Sequence, residues 1–357
     1  MHSFAGGGAE RITILLANEL IEKNYEVIFF VKSNSGELKE YLDKRIKVIE
    51  LLSKSNHKIK AFCNLIKAFR KSNCESIFGV SLGMSTFAIL AKIISKSKAN
   101  IIPVIHISYT NNISKSEKIK LKIMKIFDNY TYKTIVVSKE ARNAYIKASG
   151  IKHNKVVTVY NPVVNKEIKE KMLQRPNHPW LINHKVPVVI AAGRLTDQKN
   201  YFLMLKVISN IIKTREIRLI VLGKGELHDK LLDYVKKLGI EDYVDFYGFT
   251  NNPYSFFYNS DCYFMTSNYE GLPTVLIEAM ACGCPIVSTD CPSGPREILD
   301  NEKYGYLAPI EDIKGLEDAI IKTLSGKKCE SEVLMERAEF FSVKNAVQKY
   351  IDIIEGD

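Results

Sequence analysis

No stretch of the 357 residues approaches the roughly 18 consecutive apolar residues that a membrane-spanning helix needs. No signal-peptide pattern opens the chain, so a cytosolic protein is expected. Internal repeats and low-complexity tracts are missing. The seven cysteines are an odd number at scattered positions, and Cys282-Gly-Cys284 is too tight for the usual zinc or redox spacing. All seven are expected to be reduced and mostly buried. There is no Asp-x-Asp pair to hold a metal–nucleotide complex, so neither metal nor cofactor is expected. No Gly-x-Gly-x-x-Gly with a following acidic ribose partner occurs, which weighs against a nicotinamide-dependent oxidoreductase. No nucleic-acid-binding module is visible.

What is present is globular: 46% hydrophobic and 25% charged residues. The length suits two domains, each able to bury its own core. Charge divides in the same way. Residues 1–180 hold 31 Lys and Arg against 14 Asp and Glu, a balance of +17; residues 181–357 hold 20 against 26, or −6. A composition rich in Lys, Ile and Asn would explain a basic half, but not an acidic second half. The boundaries expected are a first domain over 1–163, a linker over 164–185 containing prolines, a second domain over 186–341, and a last helix over 342–357.

Apolar runs and helical periods alternate along both halves. A helix is expected over 9–23, then strands at 27–31, 46–51, 76–80, 99–107, 134–137 and 156–160. Ser138 reads as the N-cap of the helix that follows, with Glu140 in its first turn. The second half carries strands at 186–192, 217–222, 243–247, 261–266, 285–289 and 305–308, with helices between. This is the α/β pattern of doubly wound parallel sheets.

The richest segment is Asn268-Tyr-Glu-Gly-Leu-Pro-Thr-Val-Leu-Ile-Glu278. It follows a buried strand, and Pro273 marks a helix start that runs on through Ala281. Free N–H groups at that start suit an anion. Glu270 and Glu278 flank it, and carboxylates accept hydrogen bonds from hydroxyls. An anion cradle beside hydroxyl acceptors suits a nucleotide sugar. Arg194 and Lys199 occupy the loop after strand 186–192, the ligand edge of such a sheet. Arg offers a planar fork and Lys a point charge for a diphosphate. Read alone, they could equally be a surface ion pair and a solvated helix-start residue.

These residues resemble those of the family 4 glycosyltransferases. The likeness runs through Gly6-Gly-Gly-Ala-Glu-Arg11, His106, Gly193-Arg194 with Lys199, Gly223-Lys-Gly-Glu226 and Tyr247-Gly-Phe249. It continues through Glu270-x7-Glu278, Glu278-Ala-Met-Ala-Cys-Gly-Cys-Pro285 and Thr289-Asp-Cys-Pro-Ser-Gly-Pro-Arg-Glu-Ile298. It implies the GT-B fold, two Rossmann-like domains facing across a cleft, and a retaining hexosyl transfer by same-face attack. The donor implied is a nucleoside-diphosphate sugar, with UDP ahead of GDP; a non-catalytic nucleotide-sugar-binding protein is the competing reading. His106, Arg194, Lys199 and Glu270 would be catalytic. Gly7, Gly8, Arg11, Gly193, Gly223, Gly225, Phe249, Gly271, Leu272, Pro273, Thr274 and Glu278 would line the substrates. In the family an apolar strand precedes the glycine cluster at the centre of the first sheet. Here it is reduced to a stub, and a misplaced or shortened start is expected.

Lys115, Lys118, Lys120, Lys122 and Lys125 alternate with Ile119, Leu121, Ile123, Met124 and Ile126. Such a basic amphipathic helix suits an anionic membrane surface, with a solvated helix face as the plain alternative. The expected partners are therefore a nucleotide-sugar donor, a lipid-linked glycan acceptor and, peripherally, the inner face of the cytoplasmic membrane.

Overall fold

The computed structural model describes residues 1–5, 8–52, 58–106, 114–326 and 328–356. They fall into two compact units, Met1–Pro162 with Val343–Asp357, and Val163–Ser342.

The first unit runs α1 (Gly8–Glu22), β1 (Ile28–Val31), β2 (Lys47–Glu50), α2 (Lys58–Lys71), β3 (Ser76–Gly79), α3 (Leu82–Ser95), β4 (Asn100–Ile105), α4 (Lys115–Ile126), β5 (Thr134–Val136), α5 (Lys139–Ser149) and β6 (Val156–Thr158). Strands β3 to β6 form one parallel sheet in chain order, and β1 and β2 form a separate parallel pair. Met1 to Phe4 lies beside β1: the Met1 ammonium donates to Phe30 O at 2.8 Å, and Lys32 N–H donates to Met1 O at 3.1 Å. The two-residue period of β4 sorts its side chains. Ile102 and Val104 meet Ile12, Leu16 and Leu20 of α1 and Val347 of the C-terminal helix Val343–Glu355. Ile101 and Ile105 face the opposite layer, with Phe69 of α2, Ile89 of α3 and Met124 of α4. A second stripe of α1, Ile14, Ala17 and Ile21, packs on Phe29 and Val31 of β1, so one helix serves both sheets. Ser138 caps α5 as expected, accepting from Ala141 N–H at 3.1 Å.

The second unit contains α6 (Lys166–Met172), α7 (Pro179–Ile182), β7 (Val188–Ala192), α8 (Tyr201–Ile212), β8 (Arg218–Leu222), α9 (His228–Leu238), β9 (Val244–Gly248), α10 (Pro253–Tyr258), β10 (Cys262–Met265), α11 (Thr274–Ala281), β11 (Ile286–Thr289), α12 (Pro295–Ile298), β12 (Tyr306–Ala308), α13 (Ile313–Ser325) and α14 (Ser331–Glu339). Its six parallel strands lie in the order β12-β11-β10-β7-β8-β9. Both faces are covered, so the central strands are near-continuously apolar, and Val188, Val189 and Ile190 are wholly buried. Each such side chain contributes about 1.5–3 kcal/mol of burial.

Residues 164–185, read above as a linker, are instead folded into this unit. Asn165 caps α6 by accepting from Ile168 N–H at 3.1 Å, a Glu167–Lys171 pair spans one turn at 2.6 Å, and α6 packs on α10 and α11. His178 anchors the next stretch. Its Nδ1 accepts from Trp180 N–H at 3.1 Å, which leaves the proton on Nε2 to donate to Asp245 Oδ2 at 2.8 Å. Local polarity suggested a loop, but these caps and tertiary contacts decide the outcome.

Candidate active site

In the second unit the chain leaves β7 for β8 and β9 on one side, then returns to β10, β11 and β12 on the other. The loops after β7 and β10 therefore diverge, and the crevice at such a switch point is where open α/β sheets bind ligands. Residues 193–200 and 266–270 are those two loops.

A polar lattice joins them. Thr266 Oγ1 lies 3.0 Å from Lys199 O and from Asn200 O. Asn268 N–H donates to Gln198 O at 2.8 Å, and Asn268 Nδ2 donates to Asp197 O at 3.0 Å. Gln198 Nε2 donates to Tyr269 O at 2.9 Å. Asn200, in the left-handed region at φ 48°, caps α8 through Leu203 N–H and donates to Asn268 Oδ1 at 3.0 Å. This lattice sets Lys199 Nζ 2.6 Å from Glu270 Oε1, although the two residues are 71 positions apart. The side chains are 18% and 8% exposed, so the pair is largely withdrawn from water. The Glu270 charge reaches its neighbours. Burial first, then Glu270, raises the Tyr201 hydroxyl pKa above the usual phenol range, and the same causes push the Cys291 thiol up to about 12.

Helix α11 starts directly after this loop. Pro273 takes the N-cap position and Thr274 the first helical one, a residue later than the sequence suggests. Leu272 is buried beneath the turn, Gly271 and Thr274 are half-buried, and Glu278 is half-buried on the second turn. Arg194 sits exposed on the β7 loop and makes no hydrogen bond or ion pair among the described residues. The structure thus brings Lys199 to Glu270 and leaves Arg194 open.

Two glycines owe their identity to packing. A Cβ on Gly223 would lie 2.0 Å from Gly193 O, and one on Gly225 would lie 2.3 Å from Leu195 O. Leu195 N–H donates to Lys224 O and Gly193 N–H to Leu222 O, so the β7 and β8 loops lie backbone against backbone. Phe249, just past β9, is 69% exposed, a large apolar ring at the same sheet edge.

In the first unit His106 directly follows β4. Both ring nitrogens are shut off from solvent and lack a hydrogen-bond partner among the described residues. Burial pushes its pKa down to about 4, and nearby Asn161 pulls weakly the other way without completing a hydrogen bond. The ring is therefore neutral at physiological pH. Between pH 6.5 and about 4 the unfolded chain binds a proton that the folded one does not, so stability falls as pH falls through that window. Acidification from pH 7 to 4 should cost the wild-type protein about 3 kcal/mol more than His106→Gln, read from urea melts at both pH values. Equal acid losses would mean the ring nitrogens are hydrated or paired.

Gly8 opens α1, and a Cβ there would meet nothing within 4 Å. Packing alone does not call for glycine at this position. Arg11 is exposed on the first turns of α1. Gly7 lies outside the described residues. Among them, no three His, Cys, Asp or Glu side chains gather as a metal site, and no helix is long and apolar enough to cross a membrane.

Residues 6–166 match the family model for Glycosyltransferase Family 4, and residues 176–339 match that for Glycosyl transferases group 1. The chain belongs to the family 4 glycosyltransferases. This glycosyltransferase is 31% identical to the uncharacterized glycosyltransferase MJ1059 of Methanocaldococcus jannaschii over 264 residues, 64% of each chain. It is 33% identical over 162 residues to the N-acetylgalactosamine-N,N'-diacetylbacillosaminyl-diphospho-undecaprenol 4-alpha-N-acetylgalactosaminyltransferase of Campylobacter jejuni, 45% of this chain and 42% of that one. In both alignments the chain spans less than two thirds of the relative's length. The structure of Anabaena Alr3699/HepE in complex with UDP matches with a TM-score of 0.80 at 18% identity, covering 100% of this chain and 98% of that one. The fold is GT-B, built from two Rossmann-like units.

Proposed function

We propose that this glycosyltransferase moves a hexose or N-acetylhexosamine from a UDP-sugar to a hydroxyl of a lipid-linked glycan, with retention of configuration, at the inner face of the cytoplasmic membrane. The observation that carries the reading is the withdrawn Lys199–Glu270 pair at the switch point, beside the start of α11. Lys199 and Arg194 neutralise charge growing on the leaving diphosphate, which is typically the largest catalytic contribution. Glu270 fixes Lys199 and accepts from donor sugar hydroxyls. Glu278 takes the ribose, and exposed Phe249 gives the base a flat apolar face. Backbone N–H groups at Gly271 and Thr274 lie where a helix start favours an anion. His106, neutral, offers the sugar a hydrogen-bonding ring without a competing charge.

HepE was solved with UDP, and the Campylobacter relative is named for a diphospho-undecaprenol substrate; both support this choice of donor and acceptor. The first unit's basic α4 supports the membrane assignment. Its Lys115, Ile119, Lys122 and Ile126 form one exposed stripe, opposite the buried Leu121 and Met124. Thermal melts with UDP-, GDP- and dTDP-sugars test the donor. A UDP-sugar at a hundredfold excess over its Kd should add about 2.7 kcal/mol, and the other two much less. A larger shift with a GDP-sugar would move the assignment to a mannosyl or glucosyl transferase. Binding without turnover on any lipid-linked acceptor would favour a non-catalytic binding protein.

A further inference from the structure

Tyr201 opens α8 directly after the Asn200 cap, and its ring is packed into the core of the second unit, only 2% exposed. Its hydroxyl is unusual for so deep a side chain. It makes no hydrogen bond or ion pair among the described residues. Nor is it sealed from solvent as the His106 nitrogens are, so the small open area of the side chain includes the oxygen. Buried hydroxyls are ordinarily paired inside the fold, and one left without a partner needs a reason.

The surroundings supply that reason. The hydroxyl lies against Gly193, where the chain leaves β7. A Cβ on Gly193 would be 3.2 Å from the Tyr201 oxygen and 3.4 Å from Lys199 Cε. Glycine thus lets the phenol and the lysine stem meet the loop backbone side by side. Lys199 Nζ continues to Glu270 Oε1 at 2.6 Å, and the Glu270 charge reaches Tyr201. Burial and that charge keep the phenol protonated. A neutral O–H beside a carboxylate-bound ammonium is a donor held ready for an oxygen that arrives with a ligand. Tyr263 shows the contrast. It lies in the same electrostatic neighbourhood, but its hydroxyl is 3.4 Å from Ala192 O and spends its proton inside the fold.

We propose that the Tyr201 hydroxyl donates a hydrogen bond to the sugar-bearing phosphate of the donor. The proposal rests on the transferase reading above and adds to it a neutral contact beside Lys199. Lys199 decides which phosphate it is. Its partner Glu270 is assigned to the sugar hydroxyls, so the phosphate that meets both Lys199 and Tyr201 is the one next to the sugar. A neutral donor suits that place. A further cation would compete with Lys199 for Glu270, whereas a phenol O–H adds a directed bond to an ionised acceptor without adding charge. Local sequence does not mark the residue, because a tyrosine at the start of an apolar helix face reads as core.

Calorimetric titration of the full chain and of Tyr201→Phe with UDP and UMP tests the contact, since UMP lacks the phosphate that carries the sugar. Tyr201→Phe should bind UDP about tenfold more weakly and UMP as before. The preference for UDP over UMP should therefore fall about tenfold, the worth of one hydrogen bond to a charged group. The urea midpoint of the unliganded variant should be unchanged or higher, because the lost hydroxyl had no partner in the fold. Tyr263→Phe should do the converse, lowering the midpoint and leaving the preference alone. An unchanged preference in Tyr201→Phe would overturn the proposal, and a lowered midpoint with it would make the hydroxyl a structural contact. Failure of the transferase reading would look different. The wild-type chain itself would then show no UDP binding and no UDP-sugar-dependent rise in melting temperature, and the proposal would fall with it.

Discussion

Lys199→Ala should lower the rate of sugar transfer on the order of 10²-fold, the usual loss for one preorganised charge at a transition state. Arg194→Ala should lose a similar factor, but the two variants should differ in stability. Arg194 is exposed and without a partner among the described residues, so its removal should leave the melt nearly unchanged. Lys199 faces Glu270 at 2.6 Å in a site largely closed to water. Its removal strands a buried carboxylate, at a cost of about 3 kcal/mol. Lys199→Met combined with Glu270→Gln removes both charges and should recover most of that stability while turnover stays low. The measurements are kcat with a UDP-sugar and urea melts on all four proteins. Near-wild-type turnover in both single variants would sink the diphosphate assignment; recovery of turnover in the double variant would reduce the pair to a structural ion pair.

That pair also marks how far the sequence could be read. Lys199 and Glu270 were each legible, because each follows an apolar strand and precedes a helix. Their contact was not. It depends on β10 lying beside β7 instead of beyond β9, a pairing across 71 residues that no local pattern records. The sequence therefore placed Lys199 on phosphate and Glu270 on sugar hydroxyls, with nothing to say that each orients the other. The Thr266, Asn268, Gln198 and Asn200 lattice was missed for the same reason, since Asn and Gln near a turn read as ordinary turn chemistry.

Strands were easier, because a parallel sheet covered on both faces writes continuous apolar runs such as Val188 to Ala192. Glycines were harder. For Gly223 and Gly225 a ligand reading tells only part of the story, since their missing Cβ atoms are also required by the backbone of Gly193 and Leu195. Gly8 shows the reverse case, with open space where a side chain would go. Segment 164–185 was missed although its signals were present: Asn165 ahead of a helical stretch and Glu167 four residues before Lys171 are a cap and a helix pair. The prolines nearby outweighed them.

Reversing Lys118, Lys122 and Lys125 to Glu should release the protein from anionic vesicles. All three lysines are exposed on α4, while Leu121 and Met124 hold the helix to its unit from the other side. The substitutions therefore leave the core untouched. Each lysine near an anionic surface contributes about 1 kcal/mol, so losing three should lower the partition by more than about 10²-fold, and the added repulsion extends the loss. Ile119 and Ile126, 59% and 72% exposed between those charges, should insert at the headgroup boundary. Replacing both by Ser should weaken adsorption with little change in its salt dependence, because that dependence belongs to the charges. Sedimentation with phosphatidylserine vesicles at ~0.1 M and ~1 M salt, where the Debye length falls from about 10 Å to about 3 Å, reads both contributions. UDP-sugar-dependent stabilisation, assigned above to residues none of which lies on α4, should persist in every variant. If the triple variant sediments like the parent, the lysines of α4 are a solvated helix face, and the membrane assignment loses its physical support.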